Sequence, residues 1–156
     1  MEHRNTEMPG VPFDIRPARA ADLQTVVSLD EETTGIAKVA YWKDRLERYA
    51  GGQPDRYFLI AEKDGRPVGF IVGEVRAWEF GSPPSGWIFA INVNRGARQD
   101  GLGTQLFEAV CDRFRRSGVR QVRTMIAKED KLVMSFFRSQ GMMAGPFVEL
   151  EKGLAP

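Results

Sequence analysis

The richest chemistry in this sequence lies in Asn92-Val93-Asn94-Arg95-Gly96-Ala97-Arg98-Gln99-Asp100-Gly101-Leu102-Gly103-Thr104-Gln105-Leu106. An apolar run, Trp87 to Val93, enters a turn, and two glycines then open an amphipathic stretch. The leading N–H groups of a helix have no partner within it, and with the helix dipole behind them they attract an anion. Gly101 and Gly103 would let phosphate oxygens approach the backbone, and Arg98 would add a charge-assisted donor. Glycines at a helix start also serve tight packing, so the residues alone leave both readings open. The segment is not a Walker loop, since it lacks Gly-Lys-Ser/Thr, nor a dinucleotide Gly-x-Gly-x-x-Gly. Without a usable histidine, proton-accepting chemistry must come from a carboxylate or from water. Glu74, late in an apolar run, and Glu79, in the aromatic stretch after it, are the first candidates, ahead of Glu31 and Glu32; each also reads as a solvated surface acid. Cys111 shares a helix face with Phe107 and Phe114 and reads as buried. With one cysteine and one histidine, His3, no internal disulfide, His/Cys metal cluster or cysteine–histidine relay is expected, and no metal site is assigned.

The elements that must position these residues come from a chain of 156 residues, 42% hydrophobic and 28% charged, with a formal net charge of +1. That length can bury a sizeable core without a metal or disulfide. The near-neutral charge argues against a bulk nucleic-acid or membrane field. Met1-Glu2-His3-Arg4-Asn5-Thr6-Glu7 has no signal-like apolar run and no segment suits a membrane span, so a cytosolic location is expected. Residues 1–12 read as a flexible tail before one domain at 13–154. Phe13 to Arg16 reads as a strand stopped by Pro17. A helix follows with Asp22 in its first turn and Leu23, Val26 and Val27 inward, ending before Gly35. A second helix carries Val39, Trp42, Leu46 and Tyr49 at steps of three and four, a stripe that favours core packing, and Gly51-Gly52 ends it. Tyr57–Ala61 and Val68–Val75 read as strands joined through an Asp64-Gly65 hairpin. The prolines in Ala77–Gly86 make a loop. A central strand, Trp87–Val93, leads to a helix with Leu102, Leu106, Val110 and Phe114 inward, capped at Gly118. Val119–Ile126 reads as a strand, Asp130–Gln140 as a helix ending at Gly141, and Phe147–Leu150 as a closing strand. The order describes an α/β domain with a mixed sheet.

Arg98-x-x-Gly101-x-Gly103 after Ile91-Asn92-Val93 resembles the pyrophosphate loop of the GNAT N-acetyltransferases, Gln/Arg-x-x-Gly-x-Gly/Ala. Ile15-Arg16-Pro17-Ala18 with Ala21-Asp22-Leu23 is similar to that family's opening, and Ser135-Phe136-Phe137-Arg138-Ser139-Gln140-Gly141-Met142 to its helix ending in Phe-Tyr-x-x-x-Gly-Phe. The resemblance spans about residues 13–152. It implies a single-domain GNAT-like fold: a mixed, mostly antiparallel sheet with splayed central strands and about four helices. It also implies acetyl-CoA as donor and CoA as co-product. Pantetheine would pair with the backbone around Ile91, Asn92 and Val93, and the pyrophosphate would take donors from Arg98, Gln99, Asp100, Gly101, Leu102, Gly103 and Thr104. Asp130 falls where the family often has a cofactor-touching asparagine and reads equally as a helix cap. Where many members have a proton-donating tyrosine this chain has Phe137, which can pack on pantetheine but gives no proton. The family's strand acid is replaced by Phe89-Ala90, which returns the base to Glu74 or Glu79.

The acceptor implied is a primary amine, on a protein lysine, a protein N-terminus or a small molecule. Glu31, Trp42 and Trp78, with Asp30, Glu32 and Phe80, are candidates for its pocket and read equally as surface charge and core. Two further classes compete. One is a catalytically weak CoA-binding regulatory or interaction module, motivated by Phe137 and Phe89-Ala90. The other, nucleic-acid binding, ranks below it because a helix C-terminus already accounts for Arg113, Arg115 and Arg116. A homodimer is left open. Four acids and no base lie between Asp22 and Glu32, whereas seven arginines face three acids from Arg95 to Arg123. These regions suit a cationic acceptor and a polyanionic cofactor respectively.

Overall fold

Near-continuous apolar runs, buried on both faces of the sheet, make strands of the middle of this chain. A computed structural model describes residues 13–156 and forms a five-stranded sheet ordered β1 (Asp14–Pro17), β2 (Arg56–Lys63), β3 (Arg66–Arg76), β4 (Ser85–Val93) and β5 (Val122–Thr124). The expected tail at residues 1–12, with His3, lies outside the described residues. The first three pairings are antiparallel and β4–β5 is parallel. The hairpin between β2 and β3 turns at Asp64 (φ 53°) and Gly65 (φ 74°), both left-handed as a two-residue turn requires. The α-helices are α1 (Leu23–Thr34), α2 (Val39–Tyr49), α3 (Leu102–Arg116) and α4 (Lys131–Ser139). A 3₁₀ turn at Ala20–Asp22 leads into α1, and Gly35 ends that helix at φ 75°.

The helices cover the sheet because each carries one apolar stripe. On one face Val26, Val27 and Leu29 of α1 and Trp42, Leu46 and Tyr49 of α2 pack with Phe58, Ile60, Phe70 and Val72. On the other, α3 buries Leu102, Leu106, Val110 and Phe114. Its approach depends on missing side chains: a Cβ at Gly86 would stand 2.5 Å from the Phe114 ring, and one at Gly73 would stand 2.9 Å from it. At the first turn Arg16 grips Asp22 through Nη1 and Nη2, both at 2.8 Å, and Glu62 through Nε at 2.6 Å. Asp22 also accepts the Arg19 N–H at 2.7 Å, so one carboxylate fixes a strand end, a turn and a helix entry.

Two expected strands differ. The Val119–Ile126 strand shrinks to Val122–Thr124, because only Gly86–Ile88 of β4 offers it a ladder. Phe147–Leu150 is exposed and irregular, with no partner strand among the described residues. The described chain separates into two compact units, one ending at Met125 and the other spanning Ile126–Pro156. The second holds α4, whose N-terminus Asp130 caps by accepting the Val133 N–H at 3.2 Å.

Candidate functional site

β4 changes register against β3 between Val72 and Gly73: Ala90 opposes Val72 and Ile88 opposes Gly73, so Phe89 is the extra residue of a bulge. Beyond it the antiparallel alternation decides where the polar groups face. The Asn94 N–H bonds the Val68 carbonyl at 2.7 Å, and the register pairs Asn92 with Phe70 and Ala90 with Val72. Asn92 and Ala90 therefore spend their backbone groups on β3, and Ile91 and Val93 direct theirs to the opposite edge. On that edge β5 reaches only as far as Ile88, whose carbonyl accepts the Thr124 hydroxyl at 2.8 Å. Pairing on this edge thus ends at Ile88, and among the described residues the N–H groups of Ile91 and Val93 have no ladder partner, which leaves them available to an extended ligand.

The same strand delivers the chain to the segment expected to hold a phosphate. Asn94 caps a 3₁₀ turn, Arg95–Asp100, by accepting the Gly96 N–H at 2.9 Å. Gly101 then turns left-handed (φ 76°), with open space where a Cβ would stand, and no side chain caps it. The first i to i−4 bond of α3 is Gln105 N–H to the Gly101 carbonyl, so Leu102 and Gly103 present the leading amides of the helix. Arg98 is exposed and bridges the two features, its Nε donating to the Val93 carbonyl at 3.1 Å. Gln99 is also exposed. Asp100 is held by Lys63 at 3.3 Å, which keeps a cation beside the loop's one acid. The residues present therefore suit a polyanion joined to an amide-bearing arm.

The remaining candidates occupy different settings. Asn92 donates through Nδ2 to the Thr33 hydroxyl of α1 at 3.4 Å. Glu74, half-buried on β3, accepts the Tyr49 hydroxyl at 2.7 Å and Arg76 Nε at 3.0 Å. Burial alone would raise its pKa, but the Tyr49 and Arg76 hydrogen bonds and the nearby arginine charges outweigh it and hold the carboxyl below its usual range. The phenol of Tyr49 moves the other way, pushed up by burial and by Glu74. In the sequence Tyr49 carries no chemical signal, since its spacing marks only packing. Glu79 and Trp78 are exposed in the loop after β3, Trp78 at φ 61°. Glu31 is exposed near the end of α1.

Trp42, expected to line an acceptor pocket, is instead a core residue 2% exposed. Its ring lies edge-on to Phe58 and Phe70, and its indole donates to Asp30 at 3.0 Å. Asp30 also pairs with Lys38 at 2.9 Å. Cys111 is buried, and desolvation pushes its thiol up to about 11. In the second unit Phe137 is buried with its ring edge-on to Phe136. Among the described residues no group of acids, cysteines or histidines could hold a metal ion, and no helix is long and apolar enough to cross a membrane.

Comparison with known proteins agrees with this fold. An L-2,4-diaminobutyric acid acetyltransferase of Nocardia farcinica is 30% identical over 87 residues, which cover 56% of this chain and 44% of that protein. The chain thus aligns with less than half the length of this curated relative. An aminoglycoside N-acetyltransferase AAC(6′)-Iy, solved in complex with CoA, superposes with a TM-score of 0.78 at 19% identity over 94% of this chain and 98% of that one. The aminoglycoside 6′-N-acetyltransferase AAC(6′)-Ih of Acinetobacter baumannii gives 0.76 at 15% over 92% and 100%. These two superpositions establish the fold. A family model described as the acetyltransferase (GNAT) family matches residues 23–142, and the chain belongs to that family.

Proposed function

We propose that this chain is an N-acetyltransferase that uses acetyl-CoA and transfers the acetyl group directly to a primary amine of a small molecule. The observation that carries this reading is the unpaired edge of β4 at Ile91 and Val93, joined through Arg98 to the uncapped start of α3. Ile91 and Val93 would pair with the amides of pantetheine. Arg98, with the backbone from Gln99 to Thr104, would hold the pyrophosphate. Asp130 and Phe137 are further proposed cofactor contacts from the family pattern. The curated relative and the solved neighbours named above carry small amines in their names, which favours a small acceptor over a protein lysine or N-terminus.

The reaction forms a C–N bond to the acetyl carbon and breaks its C–S bond; the amine loses a proton and the thiolate leaves as the thiol. Fixed backbone donors on β4 would stabilise the developing oxyanion, and alignment of two bound reactants lowers the barrier further. Glu74 is the better placed of the two proposed bases. It is half-buried and ionised, and Tyr49 connects it to the bulge, since the Tyr49 and Phe89 rings meet at 5.4 Å. Its lowered pKa makes it a weak base that acts through water.

Glu74→Gln is expected to lower kcat by about 100-fold, the low end for a general base. Glu79→Gln should lower it less, and full activity in both variants rejects the pair. Because Glu74 stays ionised through the neutral range, any rise in kcat/KM between pH 6 and 9 should persist in Glu74→Gln and follow the acceptor's amine. The function itself is tested by CoA thiol release across a panel of small diamines, amino acids and aminoglycosides. Acetyl-CoA binding without release from any acceptor would reject catalysis and favour the CoA-binding module.

A further inference from the structure

Three arginines gather beside the β4 bulge, on the sheet face covered by α2. Arg56, Glu74 and Trp87 form one row across β2, β3 and β4, and Arg76 lies two residues along from Glu74, on the same side of its strand. Arg76 donates through Nε to Glu74 and places its guanidinium 4.9 Å from the Trp87 ring centroid. Arg45 and Arg56 stand 5.7 and 5.3 Å from the centroid of Tyr49, the ring that meets Phe89 at the bulge. Against these three cations stand Glu74 and Asp44, and Asp44 is shared between Arg45 at 3.2 Å and Arg48 at 3.0 Å. Donors remain unspent. Among the described residues the two terminal nitrogens of Arg76 make no hydrogen bond, Arg45 Nε is buried without one, and Arg56 reaches only the Arg48 carbonyl, at 3.5 Å. Meanwhile two of the four acids between Asp22 and Glu32 are committed elsewhere, Asp22 to Arg16 and Asp30 to Lys38 and Trp42.

We propose that Arg56 and Arg76, backed by Arg45, form a carboxylate-binding subsite beside the β4 bulge, which selects a primary amine carrying a carboxylate a few bonds away, as in a diamino acid. The inference rests on the transferase reading above. A guanidinium presents a planar fork that matches a carboxylate through two parallel hydrogen bonds, and the rings of Tyr49 and Trp87 hold these forks in place. A polycation would meet like charge here.

The experiment compares diamino acids with their decarboxylated counterparts as acceptors: 2,4-diaminobutyrate with 1,3-diaminopropane, ornithine with putrescine, and lysine with cadaverine. Aminoglycosides form a further arm. CoA release gives kcat and KM, and calorimetry gives acceptor binding to the CoA-loaded protein. The expected result is at least a tenfold preference in kcat/KM for the carboxylated member of a pair, carried by KM. It should collapse in Arg56→Gln and in Arg76→Gln and reverse in Arg56→Glu, a change at an exposed position that a folded protein tolerates. Equal or better use of the decarboxylated amines or aminoglycosides overturns the subsite while leaving the transferase intact, as does a preference indifferent to all three variants. If acetyl-CoA binds and no acceptor releases CoA, the transferase reading fails instead. Calorimetry then decides the subsite by the same pairs: weaker or equal binding of the diamino acids overturns it.

Discussion

Gly101 and Gly103 stand two positions apart and do different work. Gly101 is required by its own backbone, at φ 76°, where a side chain costs about 1 to 2 kcal/mol. Gly103 lies within α3 and has no such requirement. Helix propensity favours leucine there by up to about 1 kcal/mol, so Gly103→Leu should change stability in denaturant titrations less than it changes cofactor affinity. The same substitution should raise the acetyl-CoA Kd at least about tenfold, a loss near 1.4 kcal/mol, by crowding the leading amides. Gly101→Ala should show the reverse emphasis, lowering stability first. An unchanged Kd in Gly103→Leu would remove the phosphate-loop assignment. The family could be read in the sequence because its signal is local: an arginine and two glycines at fixed spacing after an apolar strand. Tyr49, Arg45, Arg56 and Arg76 could not, because strands and a helix distant in sequence bring them to Glu74. The same non-local pairing explains Trp42, whose aromatic character suits a pocket and a core alike until Asp30 accepts its indole.

Among the elements, those defined by local periodicity or turn chemistry were legible and those defined by a partner were not. The Asp64-Gly65 hairpin follows from two left-handed positions, and α2 from its stripe at Trp42, Leu46 and Tyr49. Val119–Ile126 and Phe147–Leu150 have strand-like composition, yet the first forms a strand only over Val122–Thr124 and the second forms none. A strand needs a neighbour whose edge groups are available, and composition does not reveal that. The bulge at Phe89 was hidden for the same reason. The seating of α3 is an element-scale property that can be measured. Gly86→Ala forces a Cβ into the Phe114 ring and should destabilise by about 1 to 3 kcal/mol in chemical denaturation. Phe114→Leu should restore part of that loss in the double variant, and simple additivity would show that Gly86 does not make room for this ring.

For the molecule as a whole, the link formed by Arg16, Asp22 and Glu62 sets a response to acid. Hydrogen bonds from Arg16 act against the cost of burial, and with the Arg19 N–H they hold the Asp22 carboxyl below its usual range when folded. A depressed folded pKa means that the stabilisation is present above the unfolded value, near 3.9, and is lost as pH falls through the folded one. Asp22→Ala should therefore cost about 2 kcal/mol at pH 7, the scale of hydrogen bonds to charged groups, and much less at pH 2. Equal losses at both pH values would separate Asp22 from acid stability. The end of β4–β5 pairing at Ile88 has a consequence in exchange kinetics. Backbone N–H groups without a ladder partner trade protons with water quickly, so Ile91 and Val93 should be fast-exchanging positions within an otherwise protected strand. Adding CoA should slow deuterium uptake at those two amides more than at Asn92, which is already bonded to β3. The ligand would then behave, for exchange purposes, as a missing length of sheet, and its residence time could be read from two backbone positions.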